Sequence, residues 1–318
     1  MSIAQAVISG ALLGGMYAMM AVGLSVSWGM LRVINLAHFG LILLGAYLTY
    51  AMATSWGIDP IATVLITAPL LFLLGAALHW VYDRAGLSEF TSLLVSFGVM
   101  IIIIQVVHNV WTADFRQLGP EANPYGTESL FVGSIAFPMS RLIAFGFGFV
   151  VIGLAWIALR TTFTGRALRA FAEDREMAAA YGIDHHRLSL LLAGAAGATA
   201  AIAGMLWSLN FTLVPDAPFE WIGIVFAVVI LGGIGQVLGT LAAGVLVGVL
   251  ASAAGVIWEP TASLLVVFAA IVLALLLRPE GLFTMPRARV RTADSDKSTR
   301  EPAAAVPGHD ESNGGDRR

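Results

Sequence analysis

Apolar runs of about twenty residues follow one another along most of this chain, with short polar breaks between them. An α-helix needs about 20 apolar residues to cross the hydrocarbon core of a bilayer. The pattern therefore predicts nine spans, at residues 4–28, 36–54, 60–82, 91–112, 141–159, 188–208, 219–232, 236–257 and 261–277. The seventh span is short and flanked by glycine, so residues 219–257 could instead hold one span and a re-entrant piece. Eight crossings and nine crossings both stay open at this point.

The composition agrees with a membrane protein and excludes a soluble globular fold. Of the 318 residues, 58% are hydrophobic and 12% are charged, whereas soluble domains average about 25% charged residues. Between Met1 and Ile58 the only formally charged side chain is Arg32. We therefore predict an all-α integral membrane protein, a polytopic bundle of eight or nine transmembrane helices over residues 1–286. Residues 287–318 have too few large apolar side chains to fold, and they are predicted to be a disordered tail.

The arginines predict how the bundle is oriented in the cell (inner) membrane. Arginine-rich loops stay on the cytoplasmic side. Residues 160–187 carry five arginines and four acidic residues, and residues 278–291 carry four arginines. If both stretches are cytoplasmic, an even number of crossings separates them, and four fit. The tail is then cytoplasmic, while the N-terminus and residues 114–140 are external. The prolines of that external stretch favour an irregular or short-helical cap.

Several chemistries have no support in this sequence. There is no cysteine, and the single lysine, Lys297, has no glycine in the five residues before it. A phosphate-binding loop is therefore absent, and any ATP would be bound by another chain. No Asp or Glu falls in the middle of a span, which argues against a proton- or sodium-driven secondary carrier. Isolated histidines supply neither a nucleophile–base pair nor a metal site, so we expect no enzyme, no metal and no cofactor.

Residues 160–187 are predicted to form two short amphipathic helices. Leu168, Phe171 and Ala172 lie at helical spacing on one face. Asp174 would cap the second helix, and Gly182 would end it. The alanines at 178–180 would let its tip approach another protein closely. We interpret this segment as a docking element rather than as a solvated loop.

The same segment carries a resemblance to a known family. Residues 176–182 read E-M-A-A-A-Y-G, which is similar to the E-A-A-x-x-x-G loop of ABC importer permeases, with Met177 departing at the second position. More specifically, the chain resembles the high-affinity branched-chain amino acid permeases of the LivH type over about residues 5–285. The motifs that carry this resemblance, in the family's order, are Tyr17–Leu24, Asn35–Gly40, Gly45–Tyr47, Thr164–Ala170, Glu173–Asp174, Gly182–Ile183, Gly232–Gly235 with Gly239, and Leu277–Phe283.

The resemblance implies a non-catalytic ABC importer permease of the LivH/LivM type that forms half of a pathway for branched-chain amino acids. Its implied partners are a LivM-like second permease, two ABC ATPase subunits, an extracytoplasmic solute-binding protein and the lipid bilayer, without nucleic acid. Another amino acid, urea or another amide, or a sugar remains an alternative substrate. The implied ATPase-coupling residues are Thr164, Gly165, Arg166, Arg169, Glu173, Asp174, Glu176, Ala179 and Gly182.

Polar residues and glycines inside the spans are the candidates for the translocation path. They are Asn35, His38, Gly40, Gly232, Gly233 and Gly235. For the first two, helix capping and a bond to a neighbouring carbonyl are the competing interpretations. For the glycines the competing interpretation is close packing of helix backbones. Tryptophans near the span ends are expected to form an aromatic belt at the membrane interfaces, and they are Trp28, Trp56, Trp80, Trp111, Trp207 and Trp258.

Overall fold

The computed structural model describes residues 3–133, 135–257, 262–277 and 282–283. Within these residues the chain forms eleven helices and one two-stranded antiparallel sheet. In chain order they are α1 (Ile3–Leu31), α2 (Ala37–Trp56), α3 (Val64–Arg84), α4 (Glu89–Trp111), β1 (Ser129–Val132), β2 (Ile135–Pro138), α5 (Met139–Thr161), α6 (Phe163–Glu173), α7 (Arg175–Ala180), α8 (His185–Asn210), α9 (Ala217–Gly232), α10 (Val237–Ile257) and α11 (Ala262–Leu277).

Helix α1 lies at the centre of the bundle and contacts α5, α8, α9 and α10. It begins beside the β-hairpin, because the Gln5 amide bonds to both backbone polar groups of Ala136. It ends beside α6, where the Arg32 guanidinium lies 3.5 Å from the carbonyl oxygen of Ala172. These contacts define two ends of the molecule, which we name the hairpin end and the α6–α7 end.

Among the residues that the structure describes, seven helices are long and apolar enough to span a membrane, namely α1, α2, α3, α4, α5, α8 and α10. Helices α9 and α11 have 16 residues each, or about 24 Å at 1.5 Å per residue. Helix α9 starts where Asp216 meets His108 at the hairpin end, and it ends where Gly235 meets Gly29 at the α6–α7 end. It therefore extends between the two ends, antiparallel to α10. This arrangement favours nine segments over a re-entrant piece.

Glycine contacts bring the helices of the core together. A Cβ atom built at Gly10 would lie 2.5 Å from the carbonyl oxygen of Gly248, and one at Gly14 would lie 2.6 Å from that of Gly244. Distances this short leave no room for a side chain, so α1 and α10 pack backbone against backbone.

The outer helices turn large apolar side chains away from the bundle. Examples on α3, α4, α5 and α11 are Leu65, Phe90, Ile102, Val110, Phe149, Leu154 and Leu276. Exposed apolar surface of this extent is unfavourable in water and suits contact with lipid or with another membrane protein. The class of polytopic helical membrane protein is confirmed.

The stretch before α5 differs from the expected irregular or short-helical cap. Its second half is the β-hairpin, in which Ser129 pairs with Pro138 and Val132 pairs with Ile135. The turn places Gly133 at φ +63°, a backbone conformation that glycine adopts at little cost. Valine, isoleucine and phenylalanine around a turn glycine are typical of a hairpin, so the sequence contained this signal. The predicted tail, residues 287–318, lies outside the described residues.

Candidate functional site

Helix α6 forms because it is capped at its start and apolar on one side. The hydroxyl of Thr162 accepts a hydrogen bond from the Gly165 backbone at 3.0 Å, which satisfies one of the free N–H groups of a first turn. The side chains on the inner face, Ala167, Leu168 and Phe171, are buried. This confirms the predicted amphipathic face, whose other member, Ala172, is half-buried.

The outer face of α6 carries the charged residues that the sequence singled out. Arg166, Arg169 and Glu173 are exposed. The two arginines also reach back to the end of α5: Arg166 donates to the Thr161 carbonyl at 2.7 Å, and Arg169 donates to the Arg160 carbonyl at 3.4 Å. The two arginines therefore hold α6 on α5, in addition to any contact that they make with a partner.

Gly165 makes the tightest contact between these two helices. A Cβ atom at Gly165 would lie 2.4 Å from both the Cα atom and the carbonyl oxygen of Leu159. Those are backbone atoms, which cannot turn aside as a flexible side chain can. Glycine is required here by a contact within the chain.

Helix α7 starts and ends as the sequence predicts. The Asp174 carboxylate accepts from the backbone N–H groups of Glu176 and Met177, both at 3.0 Å. The chain leaves the helix through Gly182 at φ +77°, a conformation that terminates helices and is strained for other residues. The capping predictions for both ends of this helix are confirmed.

The tip of α7 is not three exposed alanines. Ala179 and Ala180 are exposed, but Ala178 is only 4% exposed because its side chain faces the bundle. Glu176 lies on the exposed side with Ala179. The surface available to a partner is therefore narrower than the sequence interpretation assumed.

The α6–α7 segment also carries large exposed side chains, and the sequence interpretation missed them. Tyr181 is 82% exposed, Phe163 is 75% exposed and Met177 is 56% exposed. Their signal was available, because each is a large apolar or aromatic residue within a highly polar segment. Met177 had been noted only as a departure from the E-A-A pattern.

Aromatic and ionic contacts seat the α6–α7 segment on the bundle. The ring of Phe171 stacks on His185, the first residue of α8, with centroids 5.8 Å apart and planes 4° apart. The neighbouring His186 lies 2.7 Å from the Asp83 carboxylate at the end of α3. Helices α3, α6 and α8 are thus joined at one place.

An apolar cavity of about 280 Å³ lies directly behind α6. Helix α6 contributes Thr164, Gly165 and Leu168 to its wall, and α1 contributes Val22 and Gly23. The remaining lining comes from Val26 of α1, from Thr162 between α5 and α6, and from α5 and α8. Because α6 and the central helix α1 line the same cavity, a displacement of α6 would change the shape of the space between them.

Asn35 and His38 make local structural bonds at the α6–α7 end. The Asn35 side chain accepts from the backbone N–H of Ala37 at 3.1 Å, where α2 begins. The His38 ring is buried, and its Nε2 lies 3.0 Å from the Met20 carbonyl oxygen of α1. These contacts match the competing interpretations of capping and carbonyl bonding. A role in translocation stays a prediction for both residues.

The candidate glycines are packed against backbone or side chains. Gly40 faces Ile103 of α4, with 3.0 Å between a built Cβ and the Ile103 Cδ1 atom. A Cβ at Gly232 would lie 2.7 Å from the Gly239 carbonyl carbon. Close approach of helices accounts for these two positions, and their place in a pathway stays a prediction.

The turn between α9 and α10 rests on α1. Gly233 and Gly235 have φ values of +85° and +79°. The Ser25 hydroxyl of α1 accepts from the Gly235 backbone at 3.2 Å and lies 3.1 Å from the Thr240 hydroxyl. These contacts hold the turn against α1, and whether the turn also borders a pathway stays a prediction.

The tryptophans are divided between two environments. Trp56 and Trp80 are exposed, as an aromatic belt requires. Trp111 and Trp207 instead pack against the hydrophobic core, so the belt interpretation does not fit them. Trp258 lies outside the described residues.

A polytopic helical bundle with large apolar side chains exposed on its outer helices defines a membrane protein. Comparison with known proteins identifies its family. Residues 6–276 match the family described as branched-chain amino acid transport system / permease component. The chain belongs to this family, and it is a membrane permease subunit.

Three relatives illustrate the similarity. LivH of Salmonella typhimurium, a high-affinity branched-chain amino acid transport system permease protein, is 27% identical over 298 residues, covering 89% of this chain and 96% of LivH. BraD of Pseudomonas aeruginosa, described in the same words, is 26% identical with the same coverage. A probable LivH of Methanocaldococcus jannaschii is 27% identical over 284 residues, 80% of this chain and 86% of that protein.

One solved structure also matches, that of PsaBC from Streptococcus pneumoniae in complex with Fab. It is 15% identical, covers 88% of this chain and 93% of that chain, and has a TM-score of 0.43. A likeness this low carries no argument about the present chain.

Proposed function

We propose that this chain is a non-catalytic permease subunit of an ATP-binding-cassette importer for branched-chain amino acids. It would form half of the membrane pathway, with a LivM-like second permease forming the other half. Membership of the family supports the permease role, and the names of the relatives support the substrate class. The observation that carries the proposal is the exposed surface of the α6–α7 segment.

That surface combines features of a protein-docking site. Phe163, Met177 and Tyr181 are more than half exposed, while the caps at Thr162 and Asp174 hold the helices that carry them. Exposed apolar side chains on a rigid support lose contact with water when a partner covers them, which favours binding. We infer that an ATPase subunit is this partner and that the segment is cytoplasmic.

Arginine and acidic side chains share the α6–α7 segment with these apolar residues. Arg166, Arg169, Glu173 and Glu176 are exposed beside them. A polar rim around an apolar centre is the usual anatomy of a protein interface. Because α6 lines the cavity against α1, closure of the ATPase pair would displace α6 and shift the central helix with it.

The hairpin end would receive an extracytoplasmic solute-binding protein. The β-hairpin projects Leu130, Phe131 and Val132 with 52%, 74% and 68% of their surface exposed. Three consecutive exposed apolar residues on an ordered hairpin favour a protein contact. The second permease would instead meet one of the apolar helix faces within the bilayer.

Reconstitution tests the proposal as a whole. The chain is placed in liposomes with the second permease, the ATPase subunits and the binding protein, and uptake of leucine, valine, urea and ribose is measured in turn. We expect ATP-dependent accumulation of leucine and valine only. Accumulation of urea or ribose would show that the proposed substrate class is wrong. Uphill accumulation by this chain alone, without nucleotide, would overturn the ABC mechanism.

A further inference from the structure

Four buried polar atoms at the hairpin end have no hydrogen-bond partner among the described residues. They are the Tyr47 hydroxyl, the indole Nε1 atoms of Trp207 and Trp221, and the Asn123 side-chain oxygen. Tyr47 and Trp221 are 0% and 2% exposed. Buried polar groups are nearly always paired in folded proteins, because an unpaired one has lost water and gained nothing in return. Four such atoms lie at one end of the bundle, where a polar ligand would supply the missing partners.

The rings that carry these atoms form an aromatic layer. Trp207 packs edge-on against Trp221 with ring centroids 4.7 Å apart, and it stacks on Phe211 at 4.4 Å. Tyr47 packs against Trp111 of α4 at 5.5 Å. We name these five residues the aromatic layer. The layer thus consists of two ring clusters, Tyr47 with Trp111 and Trp207 with Trp221 and Phe211, which both lie toward the hairpin end.

The α4–β1 loop, residues 112–128, is tied to the chain beside this layer. Arg116 and Leu213 exchange both backbone hydrogen bonds, at 3.2 and 2.7 Å. The Arg116 guanidinium also donates to the carbonyl oxygen of Trp111 at 2.9 Å. Trp111 itself accepts one of these bonds, and Phe211 lies two residues before Leu213. Two members of the layer are therefore close in the chain to the contacts that hold this loop.

Two more contacts fix the rest of this loop. The Asn123 side chain donates to the Leu209 carbonyl oxygen of α8 at 3.1 Å, which leaves its own oxygen buried and unpaired. The Tyr125 hydroxyl donates to the Asp59 carboxylate at 2.7 Å. The loop therefore brings an unpaired acceptor to the same end of the bundle as the three unpaired groups of the layer.

The chemistry of the four atoms selects a class of ligand. An indole N–H can only donate, a phenol O–H can donate, and an amide oxygen can only accept. Three donors suit a carboxylate, and one acceptor with aromatic faces suits an ammonium group. This set matches the head group that every α-amino acid carries, in a bundle whose spans have no acidic residue at mid-membrane.

We propose that the aromatic layer and Asn123 form a recognition site for the α-carboxylate and α-ammonium groups of the transported solute. The site rests on the proposed function only in taking that solute to be an amino acid. The aliphatic side chain of leucine or valine would then contact the apolar interior of the bundle. The α4–β1 loop would have to release Asn123 or Arg116 for the solute to enter.

Removing one orphan hydroxyl tests the proposal with little structural change. Tyr47→Phe deletes an oxygen that lacks a partner, so the empty protein should be at least as stable as the wild type. Losing a hydrogen bond to a charged carboxylate should lower leucine uptake about tenfold. Trp221→Phe should act in the same direction, with ATP hydrolysis by the complex retained. A purely structural hydroxyl would instead lower the unfolding temperature when removed.

Tyr82→Phe is the matched control. Tyr82 also has a buried, unpaired hydroxyl, but it lies near the end of α3 at the α6–α7 end. Its variant should import leucine within about twofold of the wild type, since its hydroxyl is remote from the proposed carboxylate contact. All variants are compared in the full reconstituted complex with leucine-loaded binding protein, and thermal unfolding is measured alongside.

The outcomes separate this inference from the proposed function. If the wild type imports leucine and both Tyr47→Phe and Trp221→Phe import it at the wild-type rate, the recognition site is wrong while the function stands. If Tyr47→Phe unfolds at a lower temperature, the hydroxyl is structural and the site is also wrong. If the wild type imports urea or ribose but no amino acid, the proposed function fails, and the carboxylate site fails with it.

Discussion

The two ends of this bundle both expose large apolar side chains but differ in their buried polar atoms: among the described residues, four atoms without a partner lie at the hairpin end and one, the Tyr82 hydroxyl, at the α6–α7 end. At the α6–α7 end, Tyr181 and Met177 expose apolar surface, and the helix-capping side chain of Asp174 has its hydrogen bonds. At the hairpin end, Tyr47 and Trp221 bury polar atoms without partners. A second protein removes exposed apolar surface from water, whereas a small polar ligand supplies hydrogen-bond partners to buried donors that lack them. We propose from this difference that the α6–α7 end docks the ATPase and that the hairpin end recognises the solute.

The largest expected effect is in labelling from the two sides of the membrane. The chain has no cysteine, so a single introduced thiol reports on one position. Ala179→Cys, at the tip of α7, should react with an impermeant maleimide only in inside-out vesicles. Glu128→Cys, before β1, should react only in right-side-out cells. Labelling of both thiols from the same side would remove the distinction between the ends.

Gly165→Leu should abolish uptake. Its side chain would collide with the Leu159 backbone, where even a Cβ would lie 2.4 Å away, and α6 would be forced off α5. Co-purification of the ATPase subunits should be lost too. Gly146→Leu on α5 is the control, because a Cβ there has no neighbour within 4 Å. Wild-type uptake by the Gly165 variant would show that the seating of α6 is irrelevant to transport.

Charge placed on the docking surface should weaken ATPase binding without affecting insertion. We expect Tyr181→Asp, Glu176→Arg and Gly182→Arg each to reduce co-purified ATPase at least tenfold, a free-energy loss of about 1.4 kcal/mol. Phe131→Asp, an equally exposed position on the hairpin, should retain the ATPase. It should instead lose stimulation by the binding protein. The reverse pattern would exchange the roles of the two ends.

The smallest effect concerns the bond that anchors the α4–β1 loop. The hydrogen bond that the Tyr125 phenol donates to the Asp59 carboxylate raises the pKa of the phenol, because ionisation would break that bond and also place two negative charges together. A raised folded-state pKa contributes stability that is complete below about pH 10, the ordinary phenol value, and is lost above it. Tyr125→Phe should therefore cost about 1 kcal/mol, constant from pH 7 to 9. Thermal unfolding across pH 7–11 checks this, and a difference that varies between pH 7 and 9 would contradict it.

Local rules account for the parts of the fold that the sequence anticipated. Thr162, Asp174 and Gly182 act on backbone groups within three residues of themselves, so their roles follow from chain position alone. The spans are predictable for a similar reason, since each helix satisfies its own backbone hydrogen bonds in lipid. The β-hairpin was missed because prolines elsewhere in the loop outweighed the strand-like residues around Gly133.

Long-range contacts account for the parts of the fold that the sequence did not anticipate. Tyr47, Trp207 and Trp221 are far apart in the chain, and one motif could not show that they share a layer. Trp207 looked like an interface anchor because a sequence records distance to a span end and not the direction of a side chain. The sequence could not show that Gly235 packs against Ser25 and Gly29 of α1. A pathway role for Gly232, Gly233 and Gly235 stays a prediction.

The amino-acid sequence by itself determined a membrane-spanning bundle, a capped polar segment and the family, because hydrophobic length, capping and ordered motifs are properties of neighbouring residues. Only the tertiary structure decided that Ala178 faces inward, that the α9–α10 turn is held against α1, and that unpaired donors gather at the hairpin end. Burial and pairing depend on which helix faces meet, and that is settled by packing across the whole bundle.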